Sequence, residues 1–356
     1  MTIPGDSTLP TILLTGASGV VGQSLLERMQ PERVTCLVHR RGVNRPAREL
    51  PGDVSRPRLG LDRGAFDELA RSIDVVVHSA ALTDFQQPHS RMHEVNVAAV
   101  ENVLELAERA DAPLCHVSTA FVAQHRPDLE PDDFAKSQER GGAAGYVASK
   151  VAGERVVRDS ALPHAIMRPS IVMGDADTGR TSEFQGLHAF AGLMLQGNLP
   201  MVPVGPTTLA DFVARDTVAA TIVALVDSGQ IDGEHYVSAG DRAPLATEMV
   251  AACAAVAKRL GLEIDSPRLV GREIIDRLFR PVFIPRLPPR TRRRFLSMVE
   301  LTELLDSEDP LPSSMHELER RLGLPPAPDP IDVLTHSCEY WAHANGLGDP
   351  TIAEAA

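Results

Sequence analysis

The sequence predicts an α/β fold: a doubly wound parallel sheet followed by a smaller, mainly helical C-terminal region. Three observations carry that expectation. A short apolar run, Thr11-Ile12-Leu13-Leu14, breaks into a glycine turn and then into a segment of helical periodicity. Strand-like and amphipathic segments then alternate over about 170 residues, the pattern of parallel strands joined by crossover helices. Beyond residue 177 the alternation fades into Gly-rich and helical sequence.

The first element leads into Thr15-Gly16-Ala17-Ser18-Gly19-Val20-Val21-Gly22. Strand, glycine turn and helix in this order form a Rossmann-type cradle for a dinucleotide. Gly16 permits the tight turn and Gly19 lets backbone approach a pyrophosphate at the positive end of the helix. Gly22 lets that helix pack closely on the sheet. Ser18, Val20 and Val21 complete the expected cradle. A glycine-rich turn that holds nothing is the bland alternative.

Val34–Val38 reads as the second strand and ends in His39-Arg40-Arg41. A site for NAD would place an acidic residue here for the ribose 2′-hydroxyl. Arg40 and Arg41 suit a 2′-phosphate instead, so NADP (NADPH) is the expected cofactor; the alternative is a solvated arginine pair. Pro46, Pro51 and Pro57 abbreviate the second crossover and the third strand. Gly52-Asp53-Val54 reads as the end of that third strand, with Asp53 placed to accept from the adenine amino group. A short helix over 65–72 precedes the strand Asp74–His78, which opens into Ser79-Ala80-Ala81. Small residues at that end let backbone pass close beside a cofactor.

The spacing predicts one amphipathic helix from His89 to Ala110, containing Asn96, which is expected at the cofactor. The strand Leu114–Val117 delivers Ser118 and Thr119 at its C-terminal end, where ligands sit in open α/β sheets. Tyr146 and Lys150 stand at i and i+4, which puts phenol and ammonium on one helix face. A fixed positive charge there is expected to lower the Tyr pKa toward working pH and make it a proton donor. A surface tyrosine over a surface lysine is the plain alternative. A sixth strand, Ala165-Ile166-Met167, runs into Arg168-Pro169-Ser170, with Pro169 and Ser170 on the cofactor side.

The second half is less regular. Residues 177–206 read as a Gly-rich insert with a helix at Leu187–Leu195. Residues 210–213 and a helix over 217–226 are expected to return to the sheet, with a short strand at 234–237 and an Ala-rich helix over 247–260 after them. The expected division is 8–240 for the nucleotide domain, 241–347 for the C-terminal substrate-binding region and 348–356 for a frayed tail. Between 271 and 299 eight arginines (272, 277, 280, 286, 290, 292, 293 and 294) face only Glu273 and Asp276. Such a run is either a solvated helix face or a basic edge that steers an anionic partner, with Phe283, Ile284, Leu287 and Phe295 lining a path between the charges.

The 356 residues suffice for a full core. With 4% aromatics, that core is built mainly from Val, Leu, Ala and Ile. The net charge of −13 argues against nucleic acid as the main partner. Cys36, Cys115, Cys253 and Cys338 show neither zinc spacing nor a disulfide framework. The first ten residues lack the pattern of a signal peptide and no apolar stretch reaches the ~20 residues of a transmembrane segment, so a cytoplasmic location is expected.

Taken together, the glycine turn, Ser118-Thr119 and the Tyr146/Lys150 pair resemble those of an extended short-chain dehydrogenase/reductase. Longer strings are similar to its thioester reductase and fatty acyl-CoA reductase, or male sterility NAD-binding, branch. They are Gly52-Asp53-Val54-Ser55-Arg56-Pro57, His78-Ser79-Ala80-Ala81-Leu82-Thr83-Asp84-Phe85, His116-Val117-Ser118-Thr119-Ala120-Phe121 and Arg168-Pro169-Ser170-Ile171-Val172-Met173-Gly174-Asp175. The resemblance covers about residues 11–240, with a weaker echo at 312–318.

It implies a catalytic trio of Thr119, Tyr146 and Lys150, and NADPH-dependent reduction of an acyl thioester to an aldehyde, with an alcohol if a second hydride arrives. The segment between Arg41 and Gly52 is shorter than the family pattern. Adenylation and carrier domains are absent from the sequence, so the thioester is expected on CoA or on a separate acyl carrier protein. Two other readings stay open. The same trio serves reductases of a free ketone, aldehyde, sterol or sugar nucleotide. A non-catalytic NADP-binding regulator would be expected to have lost Tyr146 or Lys150.

Overall fold

A computed structural model gives the fold. It describes residues 9–347 apart from 44, 200, 275, 276, 278–280, 283, 287–291, 293–298, 306 and 307. Seven parallel strands form the main sheet: β1 (Ile12–Thr15), β2 (Val34–Val38), β3 (Arg48–Pro51), β4 (Val75–His78), β5 (Leu114–Val117), β6 (His164–Pro169) and β10 (Gly233–Val237). Their spatial order is β10-β6-β5-β4-β1-β2-β3. The strand order reverses between β1 and β4, and ligands of open α/β sheets bind outside the carboxyl ends of the strands at such a point.

Alternation along the strands divides the core between the two faces. Ile12, Leu14, Val75, Val77, Cys115 and Met167 pack with helices α1 (Val20–Leu26) and α7 (Arg215–Asp227). Leu13, Val76, Leu114 and Ile166 pack on the other face, with α2 (Arg63–Arg71) and α4 (Ala99–Ala110). A third cluster joins α6 (Leu187–Leu195), α8 (Ala246–Arg259), residues 301–305 and the helix Pro330–Ala344 beside helix α5 (Gly142–Arg158), which carries Tyr146 and Lys150. Residues 312–322 do not join that third cluster: Met315 and Leu318 pack against the face of the sheet that α7 covers.

Two elements differ from the sequence expectation. The strand expected near 210–213 does not enter the main sheet. As β9 (Phe212–Ala214) it pairs in parallel with β7 (Ile171–Met173) in a separate two-stranded sheet. A second such pair joins β8 (Met201–Val202) to Arg268–Leu269. Beside β6 the place is taken by β10, which pairs residue for residue from Gly233–Ala165 to Val237–Pro169. The helix after β9 does return, covering the sheet beside α1. The helix expected over 89–110 is interrupted: α3 (His89–His93) passes through a π-helical segment, Glu94–Ala98, before α4. The widened turn seats Asn96 sideways, where its amide donates to the Leu82 carbonyl at 3.0 Å and to Ser149 Oγ at 2.9 Å and accepts from Leu82 N–H at 2.8 Å.

Within the arginine-rich stretch, Arg280, Arg290, Arg293, Arg294, Phe283, Leu287 and Phe295 lie outside the described residues, as does the tail 348–356. Of the described members, Arg277 pairs with Glu273 at 3.1 Å and Arg292 donates to the Pro285 carbonyl at 2.7 Å. No helix among the described residues is long and apolar enough to cross a membrane.

Candidate active site

The glycine turn is built by close backbone contact. Gly16 has φ of +72°, and a Cβ there would stand 2.5 Å from Ala80 N. A Cβ on Gly22 would stand 2.2 Å from the Gly16 carbonyl oxygen. Gly19 differs: its Cβ would meet only the Gly16 oxygen at 3.4 Å, which leaves its outer side open for a ligand. Gly22→Ala should therefore destabilise the fold by about 1–3 kcal/mol and weaken nucleotide binding, read by denaturant midpoint and by cofactor titration. Wild-type values on both would mean that α1 can shift away from the turn.

Thr15 ties this turn to the next strand end. Its hydroxyl accepts from Ala80 N–H at 3.3 Å and bonds His78 Nδ1 at 2.7 Å. Burial, helped by the Lys150 charge, pushes His78 down to about 3, so the ring is neutral.

A cleft of about 780 Å³ opens along the carboxyl ends of the strands. It brings together Gly19, Val20 and Val21 from the glycine turn with Ser79 and Ala81 after β4. Thr119 comes from the end of β5, Tyr146 and Lys150 from α5, and Pro169 and Ser170 from the end of β6. Gly16, Ser18, Gly22 and Ala80 frame the cleft without lining it. Arg40 and Arg41 stand exposed just past β2, and neither has an ion-pair partner among the described residues.

Asp53 lies near that edge. Its carboxylate accepts from Ser55 N–H at 3.0 Å and Ser55 Oγ–H at 2.7 Å. Burial pushes this carboxyl up, but the Ser55 bonds, with His39 and Arg56 close by, hold it below the usual range. The Val54 carbonyl accepts from Asn102 Nδ2 at 2.9 Å. Asn96, expected at the cofactor, stays off the cleft as the brace between Leu82 and α5 described above.

The Tyr146 and Lys150 face of α5 is almost dry. Tyr146 is 8% exposed and Lys150 2%. Lys150 Nζ donates to the Val117 carbonyl at 2.7 Å. Burial pulls the lysine down to about 8, against the opposing pull of Glu154 one turn further along α5. Burial pushes Tyr146 up to about 12, and a hydrogen bond with Thr119 only partly offsets it. The expected acidification of Tyr146 by Lys150 is therefore not what this arrangement shows. The phenol is a neutral O–H donor, set by desolvation, and the ammonium is engaged with the strand behind it.

Sequence reasoning missed part of the cleft wall. Phe85 lies with its ring centroid 5.3 Å from that of Tyr146. Phe184, His188, Glu300, Leu301 and Leu304 close the side away from the glycine turn. Phe85 stood within one of the resembling strings, whereas nothing local marked Glu300.

The parallel sheet with its switch-point cleft, glycine turn and Tyr/Lys helix gives a Rossmann-like fold that matches extended short-chain dehydrogenase/reductase structures. Residues 47–222, just under half of the chain, match the family described as "Male sterility protein". Among curated proteins it is 30% identical over 241 residues to a linear gramicidin synthase of Brevibacillus parabrevis, covering 56% of this chain and 5% of that protein. The chain thus spans only a small part of such relatives.

Among solved structures, the terminal R domain from the myxalamid PKS-NRPS biosynthetic pathway superposes with a TM-score of 0.72 at 23% identity, covering 98% of this chain and 94% of that one. A thiolation-reductase di-domain from an archaeal non-ribosomal peptide synthetase gives 0.66 at 18% identity, covering 95% and 76%.

Proposed function

We propose that this chain is an NADPH-dependent reductase of acyl thioesters, acting on an acyl group carried by a carrier protein. The observation that carries the reading is the meeting of Thr119, Tyr146 and Lys150 with the open Gly19 edge in one cleft. The match to a reductase domain and to a thiolation-reductase di-domain supports the substrate class. Residues 8–240 would form the cofactor domain and 241–347 the substrate region.

The residues present fit a phosphorylated dinucleotide. Gly19 leaves backbone accessible at the start of α1, and Arg40 and Arg41 are exposed cations at the expected ribose edge. Bound NADPH supplies the hydride. The Tyr146 and Thr119 hydroxyls donate hydrogen bonds to the thioester carbonyl oxygen as charge develops there. Tyr146 gives its proton to that oxygen, and the resulting hemithioacetal expels thiol to leave the aldehyde. Lys150 holds positive charge behind Tyr146 and stabilises the phenolate that forms.

Single-turnover assays with acyl-pantetheine, carrier-bound acyl thioester, acyl-CoA and free ketones test the assignment. NADPH oxidation with thioesters and release of an aldehyde are expected. Turnover of free ketones alone would overturn it.

Cofactor choice gives a further test. A charge-assisted bond to phosphate is worth about 1.5–3 kcal/mol, so NADPH should bind at least about tenfold more tightly than NADH, and Arg40→Asp should narrow or reverse the preference. Equal dissociation constants in the unmodified protein would remove Arg40 and Arg41 from the site.

A further inference from the structure

Glu300 reaches the cleft from the C-terminal region and is 2% exposed. Its carboxylate accepts a hydrogen bond from Gln86 Nε2 and is ion-paired with Arg140. Gln86 and Arg140 belong to two segments far from Glu300 in sequence. A buried carboxylate stripped of such partners is strongly disfavoured, so this contact fastens the C-terminal region onto them.

The two segments are zipped together. His89 N–H donates to the Glu139 carbonyl at 3.0 Å and Ser90 N–H to that of Ser137 at 3.0 Å. Gly141 N–H donates to the Gln87 carbonyl at 2.9 Å and Gly142 N–H to that of Phe85 at 3.0 Å. Pro88 and Arg140 form an antiparallel bridge within the same ribbon. The ribbon then becomes α5, which starts at Gly142 and carries Tyr146 one turn on. Phe85, next to Gln86, packs its ring against Tyr146. Glu300 therefore holds both strands of the ribbon from which the Tyr146 helix begins. Leu301 and Leu304 on the same segment form the apolar wall of the cleft.

We infer that Glu300 is a positioning residue, which fixes the placement of Tyr146 by tying the C-terminal wall of the cleft to the ribbon through Gln86, Arg140 and Phe85. This rests on Tyr146 being the proton donor of the proposed reduction. Displacement of a reacting group by a fraction of an ångström is costly, because catalysis depends on near-attack geometry.

The test uses Glu300→Gln, which keeps the shape and the Gln86 contact while losing the ion pair, and Glu300→Ala, which loses both. Turnover of an acyl-pantetheine thioester should fall by about 10- to 100-fold in Glu300→Ala and less in Glu300→Gln. The NADPH dissociation constant and the KM for the thioester should stay within about threefold. Gln86→Ala should cost little more in a Glu300→Ala background, because the two act as one unit. Three results would overturn the proposal: unchanged turnover in both variants, a raised KM with unchanged kcat (which reassigns Glu300 to substrate contact), or full additivity with Gln86→Ala. Tyr146→Phe, run in parallel, separates the two levels. If it stays active the reduction reading falls, whereas a dead Tyr146→Phe beside a fully active Glu300→Ala removes only the positioning role.

Discussion

Tyr146→Phe is expected to lower thioester turnover by roughly 10²- to 10⁴-fold, the usual contribution of a positioned acid, while the NADPH dissociation constant changes little. The ring is held by packing, with Phe85 on one side and the apolar cluster of α6 and Met92 around it. Removing one oxygen leaves that packing in place. The mutation deletes the O–H that would meet the developing oxyanion, together with the partner of the Thr119 hydroxyl. Since burial holds the phenol near 12, the wild-type donor stays protonated across ordinary working pH. No limb from tyrosine ionisation should therefore appear between about pH 6 and 9 in the free enzyme's pH profile. Near-normal turnover of the Phe variant, measured by stopped-flow NADPH oxidation, would mean that another group donates the proton.

Lys150 should produce the second large effect, with opposite signs in activity and stability. Its pKa of about 8 lies below the ordinary 10.5 because the ammonium is buried. The proposed chemistry needs the charged form, so kcat/KM should fall as pH rises through about 8. Stability runs the other way. Between about 8 and 10.5 the unfolded chain holds this proton more tightly than the folded one, so the folded state gains stability as pH rises through that window. The gain is complete above the unfolded value and lost as pH falls through the folded one. Lys150→Met should abolish turnover and remove this rise in stability. An unchanged stability profile in the Met variant would show that the lysine is not buried as described.

Much of this was legible locally. Gly16, Gly19 and Gly22 announced a strand–turn–helix cradle because their spacing is local: Gly19 and Gly22 both answer the Gly16 carbonyl, although the contact that Gly16 itself makes with Ala80 lies far along the chain. Tyr146 and Lys150 announced a shared face because i and i+4 are neighbours on any helix. The helix Leu187–Leu195 matched its expected bounds, since its apolar run stands between clear glycine breaks.

The misses have physical causes as well. A π turn adds a residue and shifts the phase of the helix, but the apolar residues buried on both sides of it, Met92, Val97, Ala99 and Val100, hide that shift, so the segment Glu94–Ala98 was not marked in the hydrophobic pattern. Its consequence, Asn96 bracing Ser149 of the catalytic helix, was equally silent. The segment near 212 was expected to return to the main sheet, but it pairs with β7, and β10, later in the chain, occupies the edge beside β6.

The sequence by itself determined the parallel α/β architecture, the glycine turn and the placing of Tyr146 and Lys150 on one helix face, because each depends mainly on local pattern within a supersecondary unit. The tertiary structure alone decided the pKa shifts of Tyr146 and Lys150 and the far wall of the cleft. Desolvation is a property of everything packed around a group, and it carries Tyr146 up to about 12 and Lys150 down to about 8. Glu300 meets Gln86 across 214 residues of chain, a pairing that no local pattern encodes and that exists only once the C-terminal region has folded back over the sheet.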